Sequence, residues 1–459
     1  AVGVNALTAS TTASNNIAIG NNSLVANTTG TTNIAIGNNA LDRNTTAIDN
    51  TALGHGALYQ NTTSSRSTAI GRSSLRNSNG QDNTGIGYQS LFGTTSGIDN
   101  TAVGSSALRN NTTASNNTAL GKTALYTNTT GSGNTALGKD ALFANTTASY
   151  NTAIGDDALL SNTTGQKNIA VGPFALDANT TAGNNIAVGY NALTTNTTGN
   201  QNIAIGRNSL QVNQTGIYNI GVGDSTLASN TGSFNVAMGQ NALYANTSGT
   251  HNVGIGNYTL DANTTGTVNT AIGASALGAN ISGSNNTAVG NSALGANTTA
   301  DNNTAVGYEA LSANTTGGTN TAVGAIALTS NQTGGNNNAF GYGALNSHTV
   351  SDSNAFGAFA LHNNTTGTNN SAFGHRTMIT NTTGASNTAV GSYALTANTT
   401  AANNTAVGNS ALAANTTGHS NTAVGKGVMA ANTTGHSNVA VGQAALDAND
   451  EGFNNTAVG

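Results

Sequence analysis

The stretch NTAVGNSALGANTTADNNTAVG, Asn286 to Gly307, decides the fold. It writes Asn-Thr-Ala-Val-Gly twice, with the two closing glycines 17 residues apart. Taking each such glycine as position zero gives a series that opens Gly3, Gly20, Gly37 and closes Gly425, Gly442, Gly459. There are 28 of these glycines, separated by 24 intervals of 17 residues and three of 16. The repeat fills residues 1–459 as a single continuous repeat domain, with no linker between coils. The chain also starts and ends at one point of the repeat, which reads as a segment of a longer protein.

Each column of the repeat has its own chemistry. The residue before the Gly is always apolar, as at Val2, Ile19, Leu53, Phe340 and Val458. Two before it stands Ala, or Gly at Gly85, Gly221 and Gly254. Four before it stands Asn, except Ser67 and Ser353. Four after it stands Leu, or Met at Met378 and Met429. Asn-Thr-Thr-Gly or Asn-Thr-Thr-Ala usually follows. A disordered Asn/Thr/Gly tract would show this composition without the register, and the register survives every coil.

Seventeen residues are too few for a helix pair. The partly β-branched phrase Asn-Thr-Ala-Val reads as a short strand, and Gly turns the corner with φ > 0. Ala/Ser-Leu reads as a second short strand, and Asn-Thr-Thr-Gly returns the chain. The prediction is an all-β parallel β-solenoid (β-roll). It has one coil per repeat, about 27 stacked coils at roughly 4.8 Å each, and forms an elongated rod on the order of 130 Å. Leu would stack on Leu, Val on Val, and Asn on Asn in amide ladders. Two or three aliphatic side chains per coil would be buried. The three short coils, Gly71–Gly87, Gly223–Gly239 and Gly341–Gly357, all lose their residue after the Leu. A return loop tolerates that loss, whereas a strand would flip its faces.

Alternation puts the residues one and three before the Gly on the same face, with Ala on the other. Where the first is Phe340, Phe356 or Phe373, the second is Asn338, Asn354 or Ser371, as expected if the two share one volume. The Ala column supports two readings: filler of a cramped interior, or a surface on which identical chains pack.

At this point the residues resemble a known family. NNIAIGNNSLVANTTG, Asn15 to Gly30, resembles the head repeat of trimeric autotransporter adhesins, through Ile17 to Gly20 and Ser23. The resemblance implies a parallel β-roll assembled as a trimer. That family's coil is shorter than this one, and ANTTG is the enlarged segment. The form NTAVGxxALxxNTTG also resembles repeats of phage tail-fibre-like proteins and of very large secreted surface proteins of filamentous bacteria.

Charged residues are 6% of the chain, the net charge is −5, and there is no Cys. These values argue against a nucleic-acid footprint and thiolate metal sites. No apolar run approaches the roughly 20 residues that span a bilayer. The histidines are His55, His251, His348, His362, His375, His419 and His436, and only the last two share a register. That pair, the acidic pairs Asp156–Asp157 and Asp450–Glu451, and the strand motifs Gly85-Ile86-Gly87 and Gly221-Val222-Gly223 read as solvated turns or strand glycines. No catalytic, cofactor or metal role is expected for any of them. The Asn-Thr-Thr triplets spell a glycosylation acceptor but read as turn and ladder chemistry.

The expectation is a non-enzymatic, extracellular bacterial fibre that is structural and adhesive. It would self-associate, as a trimer by the resemblance, and meet an unidentified cell-surface receptor or glycan. A phage or tailocin tail fibre is the alternative. An ice-binding solenoid is a second alternative, opposed by the adjacent Thr-Thr pairs, whose members point to opposite sides.

Overall fold

A computed structural model describes residues 1–459. It contains 27 strands of three residues and no helix. The chain falls into two compact units, Ala1–Thr231 and Gly232–Gly459. The first holds β1 (Ile17–Ile19) to β13 (Ile220–Val222), and the second holds β14 (Val236–Met238) to β27 (Thr456–Val458). Within each unit, consecutive strands pair in parallel and in register. Ile17, Ala18 and Ile19 face Ile34, Ala35 and Ile36 in the first unit. Thr287, Ala288 and Val289 face Thr304, Ala305 and Val306 in the second. Each unit is therefore a parallel β-solenoid with one coil per repeat, as the period predicts.

The Ala column lies inside. Ala288 and Ala305 are fully buried, as are Leu294 and Leu311 in adjacent coils. The residues flanking each Ala consequently point outward. Thr287 and Val289 are half-buried, and Ile19 and Val390 are still 42% and 39% exposed. The two or three aliphatic side chains expected to be buried per coil are one Leu and two Ala, not the Val/Ile column. The interior holds one Leu, small residues such as Ala288 and Ala293, and two asparagines such as Asn286 and Asn297. The Val/Ile column does stack, but on the outer surface.

The expected second strand does not form. After the corner the chain makes two tight turns, closed by Ala293 N–H to Gly290 C=O at 3.3 Å and Asn297 N–H to Leu294 C=O at 3.1 Å. Ser292 and Leu294 both have left-handed backbones, with φ of 56° and 51°. Left-handed residues alternating with their neighbours aim successive N–H groups in opposite directions. Ser292 N–H donates to Ala274 C=O one coil back, and Leu294 N–H to Ala310 C=O one coil on, both at 3.0 Å. The backbone is thus satisfied coil to coil without an extended strand. A left-handed Leu costs roughly 1–2 kcal/mol. Complete burial of its side chain contributes about 1.5–3 kcal/mol, enough to offset that.

Two asparagine columns tie the coils together internally. Asn303 N–H donates to Asn286 Oδ1 at 2.9 Å, and Asn286 Nδ2–H donates to Ala300 C=O at 2.9 Å. Asn297 Nδ2–H reaches the same carbonyl at 3.1 Å and also reaches Asn280 Oδ1 at 2.9 Å. One carbonyl per coil thus receives both columns. In the short coils, the paired threonines of the return turn shrink to a single residue: Asn79, Thr231 or Thr349. Strand register is untouched, with Thr68 facing Thr84 and Asn338 facing Asn354 across two of the deletions.

Candidate functional site

Most of the chemistry-bearing residues stand alone on the surface. His55 is exposed. His251 stacks on Phe234, with centroids 4.9 Å apart. His362 packs edge-on to Phe359 and places Nδ1 2.8 Å from Gly343 O. His375 packs edge-on to Tyr393. His419 and His436 stack face to face at 4.8 Å, and Phe453 continues the stack at 5.3 Å. Their Nδ1 atoms lie 3.2 and 3.3 Å from Ser420 and Ser437 Oγ. No group of three or more His, Cys, Asp or Glu side chains is arranged to hold a metal ion.

Asp156 and Asp157 join Lys139, whose Nζ lies 2.8 Å from Asp140, 3.6 Å from Asp156 and 3.8 Å from Asp157. Burial, reinforced by the Asp156 charge, pushes the Asp157 carboxyl up. Asp450 accepts the Thr433 hydroxyl, and Glu451 is exposed. Gly85 and Gly221 belong to the interior Ala column. A Cβ on Gly85 or Gly221 would lie 2.6 Å from Ser74 Oγ or Ser209 Oγ respectively. Gly stands there because a hydroxyl occupies the volume an Ala methyl fills elsewhere.

The acceptor triplets are closed to modification in the folded chain. Asn297 of Asn297-Thr298-Thr299 is fully buried, and its Nδ2 is engaged with Asn280 and Ala300. The ladder reading of these triplets holds, and Thr298 Oγ1–H likewise bonds to the next coil, at Thr315 C=O, 3.1 Å.

His348 is the one histidine inside. It occupies a position of the Asn column, with Nε2 3.2 Å from Asn337 Oδ1 and Nδ1 2.8 Å from Asn364 Nδ2. Asn364 Nδ2 can only donate, so Nδ1 accepts and Nε2 carries the proton. Burial pushes the imidazole down to about 4, against an opposing hydrogen bond with the Val350 backbone.

Two surface features break the repeat. Phe340, Phe356 and Phe373 stack along the outer sheet face with centroids 4.6 and 4.9 Å apart, as the pairing of large with small residues anticipates. Beside them Asn338 Nδ2–H donates to Asn354 Oδ1 at 2.8 Å. The second feature escaped the sequence reading. Five and six residues after the corner glycine, consecutive coils of the first unit carry Arg43, Tyr59, Arg76, Phe92, Arg109, Tyr126 and Phe143. Arg43 and Arg76 lie over the Tyr59 ring at 5.3 and 5.1 Å. Arg109 lies over Phe92 at 5.4 Å and Tyr126 at 5.7 Å, and Tyr126 stacks on Phe143 at 5.2 Å. Aligning the coils on their glycines displays this column, but only stacking turns a column into a contact.

No family model matches the chain, and neither does any curated protein. Its class is set by the fold alone: a parallel β-solenoid of 17-residue repeats.

Proposed function

We propose that the chain is a non-enzymatic structural and adhesive element of an extracellular bacterial fibre, built from more than one copy of itself. The observation that carries this reading is the outer sheet face. The 13 strands of the first unit present 26 outward side chains in two regular columns. Stable protein interfaces use roughly 20–30 residues a side. The column of residues that precede the corner glycines is apolar throughout, so its surface is lost to water most cheaply against a like column. The laddered coils supply a second support, because tension along the stack is shared among hydrogen bonds in every coil. Electron microscopy and light scattering of the purified chain test the reading. Filaments or defined oligomers are expected, and a monodisperse monomer that does not adhere to cells would refute it.

One observation also favours an ice-binding reading. Besides the exposed second member of return-turn pairs, such as Thr46 and Thr299, the strands present an outward threonine column of Thr51, Thr68, Thr84, Thr101, Thr118, Thr135 and Thr152. These alternate with Leu53, Ile70, Ile86, Val103, Leu120, Leu137 and Ile154 across β3 (Thr51–Leu53) to β9 (Thr152–Ile154). A regular array of methyls and hydroxyls on one flat lattice orders water. Thermal hysteresis of the purified chain decides between the two readings.

A further inference from the structure

We infer that the arginine–aromatic ladder of the first unit, Arg43 to Phe143, is a binding stripe for a linear acidic polysaccharide. The inference rests on the adhesive reading for its biological setting and names the partner that reading leaves open. Its geometry stands independently.

Three features of the ladder point to a ligand. First, the arginines have no protein anion to answer them. The ion pairs of the chain involve Arg66, Lys139 and Arg207, and none involves Arg43, Arg76 or Arg109. Arg109 spends Nε on Gln89 Oε1 at 3.1 Å and one Nη on the Tyr126 hydroxyl at 3.0 Å, leaving its remaining N–H groups. Asp42, next to Arg43, feels that charge, though burial raises its carboxyl overall, so the Arg43 end is the weaker one.

Second, the guanidinium groups are held against rings: Arg109 between Phe92 and Tyr126, and Arg43 and Arg76 each against Tyr59. A guanidinium laid on an aromatic face keeps its N–H fork in plane and directed sideways, which suits bidentate capture of a carboxylate. Arg76 and Arg109 are half-buried by this packing, and Arg43 is exposed. The long side chains have therefore given up much of their freedom before any ligand arrives.

Third, the cations are evenly spaced. Arg43, Arg76 and Arg109 fall in every second coil, so they recur at about 9.6 Å, twice the ~4.8 Å strand spacing. A stiff polysaccharide with one acidic group per disaccharide presents its charges at about that interval. The aromatic edges between the arginines offer apolar contact to the intervening neutral sugar.

Single-stranded nucleic acid fits less well. Its recognition needs free ring faces for the bases, and Tyr59 has an arginine on each face. Its phosphates also recur at every nucleotide, with no neutral unit between successive charges. The first unit carries nine Lys and Arg against nine Asp and Glu, so no general positive field would gather a polyanion. Recognition must lie in the local fork geometry.

The test is binding of the whole chain to an immobilised linear polyuronate in which each uronic acid alternates with a neutral sugar. A neutral polymer of the same linkage and a single-stranded oligodeoxynucleotide serve as controls. Binding selective for the polyuronate is expected. It should fall at least tenfold in the double variant Arg76→Gln/Arg109→Gln. Arg76→Lys/Arg109→Lys should recover only part, because charge returns without the planar fork. Arg207→Gln, outside the ladder, should bind as the parent does. Circular dichroism confirms that each variant is folded. Equal binding by the Gln double variant, equal loss in Arg207→Gln, preference for the oligonucleotide, or no polyuronate binding would each overturn the inference. Cell adherence is read separately. Polyuronate binding lost in the Gln double variant with adherence unchanged supports the inference and places the adhesive contact elsewhere. Polyuronate binding without adherence supports the inference and removes the adhesive reading.

Discussion

Asn314 donates Nδ2–H to Oδ1 of Asn297, one coil earlier, at 3.0 Å, and the same amide reaches Gly317 C=O at 2.9 Å. Both acceptors are sealed from water, so the amide cannot lose its hydrogens cheaply. Asn314→Asp keeps the shape and replaces two donors with an acceptor. Gly317 C=O keeps the Asn303 amide at 3.0 Å, so one buried acceptor, Asn297 Oδ1, is left unpaired, and the variant should lose about 1–3 kcal/mol. Protonation restores one donor, so its deficit should shrink as the pH falls. Thermal melts of variant and parent across the acid range check both the size and the direction.

Gly307 has φ of +136°, and a Cβ there would lie 2.6 Å from the Gly324 carbonyl in the next coil. Gly307→Ala therefore meets two independent penalties. The backbone region alone costs about 1–3 kcal/mol. The clash cannot be relieved by a rotamer change, because the obstacle is main chain. Its melting temperature should fall well below that of Gly427→Ala, which places a Cβ where nothing lies within 4 Å.

The backbone plan of this protein was legible because stacking amplifies small signals. A Leu at one position means little, but Leu or Met in every coil fixes a lap length, and Leu294 and Leu311 duly share adjacent rungs. The loss of residues from the return turn was readable because the columns on either side keep their register. What could not be read was the direction of side chains around a lap. Val289 looks like core by hydropathy, yet Ala288 takes the interior because the lap is too narrow for a larger residue. Leu294 in a left-handed backbone defies local preference, which is why a second strand was expected there. The ladder from Arg43 to Phe143 was in plain view as letters. Its meaning depends on spacing between coils, which composition does not carry.

That inversion of inside and outside has a measurable consequence. Leu294→Ala removes a fully buried side chain and should cost about 2–5 kcal/mol. Val289→Ala, on the outer face, should change the stability of the isolated chain by under about 1 kcal/mol, since a partly exposed side chain loses little transfer energy. If the outer face joins copies, the ranking changes for assembly. The double variant Val289→Lys/Val306→Lys should leave circular dichroism intact and shift light scattering towards monomer. Unchanged oligomers would place the contact elsewhere.

His348 makes the second unit sensitive to acid. Burial lowers its imidazole from an ordinary 6.5 to about 4. An unfolded chain takes up the proton as the pH falls through 6.5, but the folded chain does so only near 4. Stability is therefore fully present above the unfolded value and is lost between about pH 6.5 and about pH 4. A difference of this size corresponds to about 3 kcal/mol. The geometry gives the reason: Nδ1 accepts from Asn364 at 2.8 Å, and a proton there would oppose a donor. The substitution also leaves Asn331 Oδ1 buried without a partner, because the histidine cannot extend the amide ladder back to it. His348→Asn should restore that bond, raise stability at neutral pH by about 1–3 kcal/mol and flatten the acid dependence. Denaturant titrations at a series of pH values measure both effects. A variant as acid-sensitive as the parent would place the titrating group elsewhere.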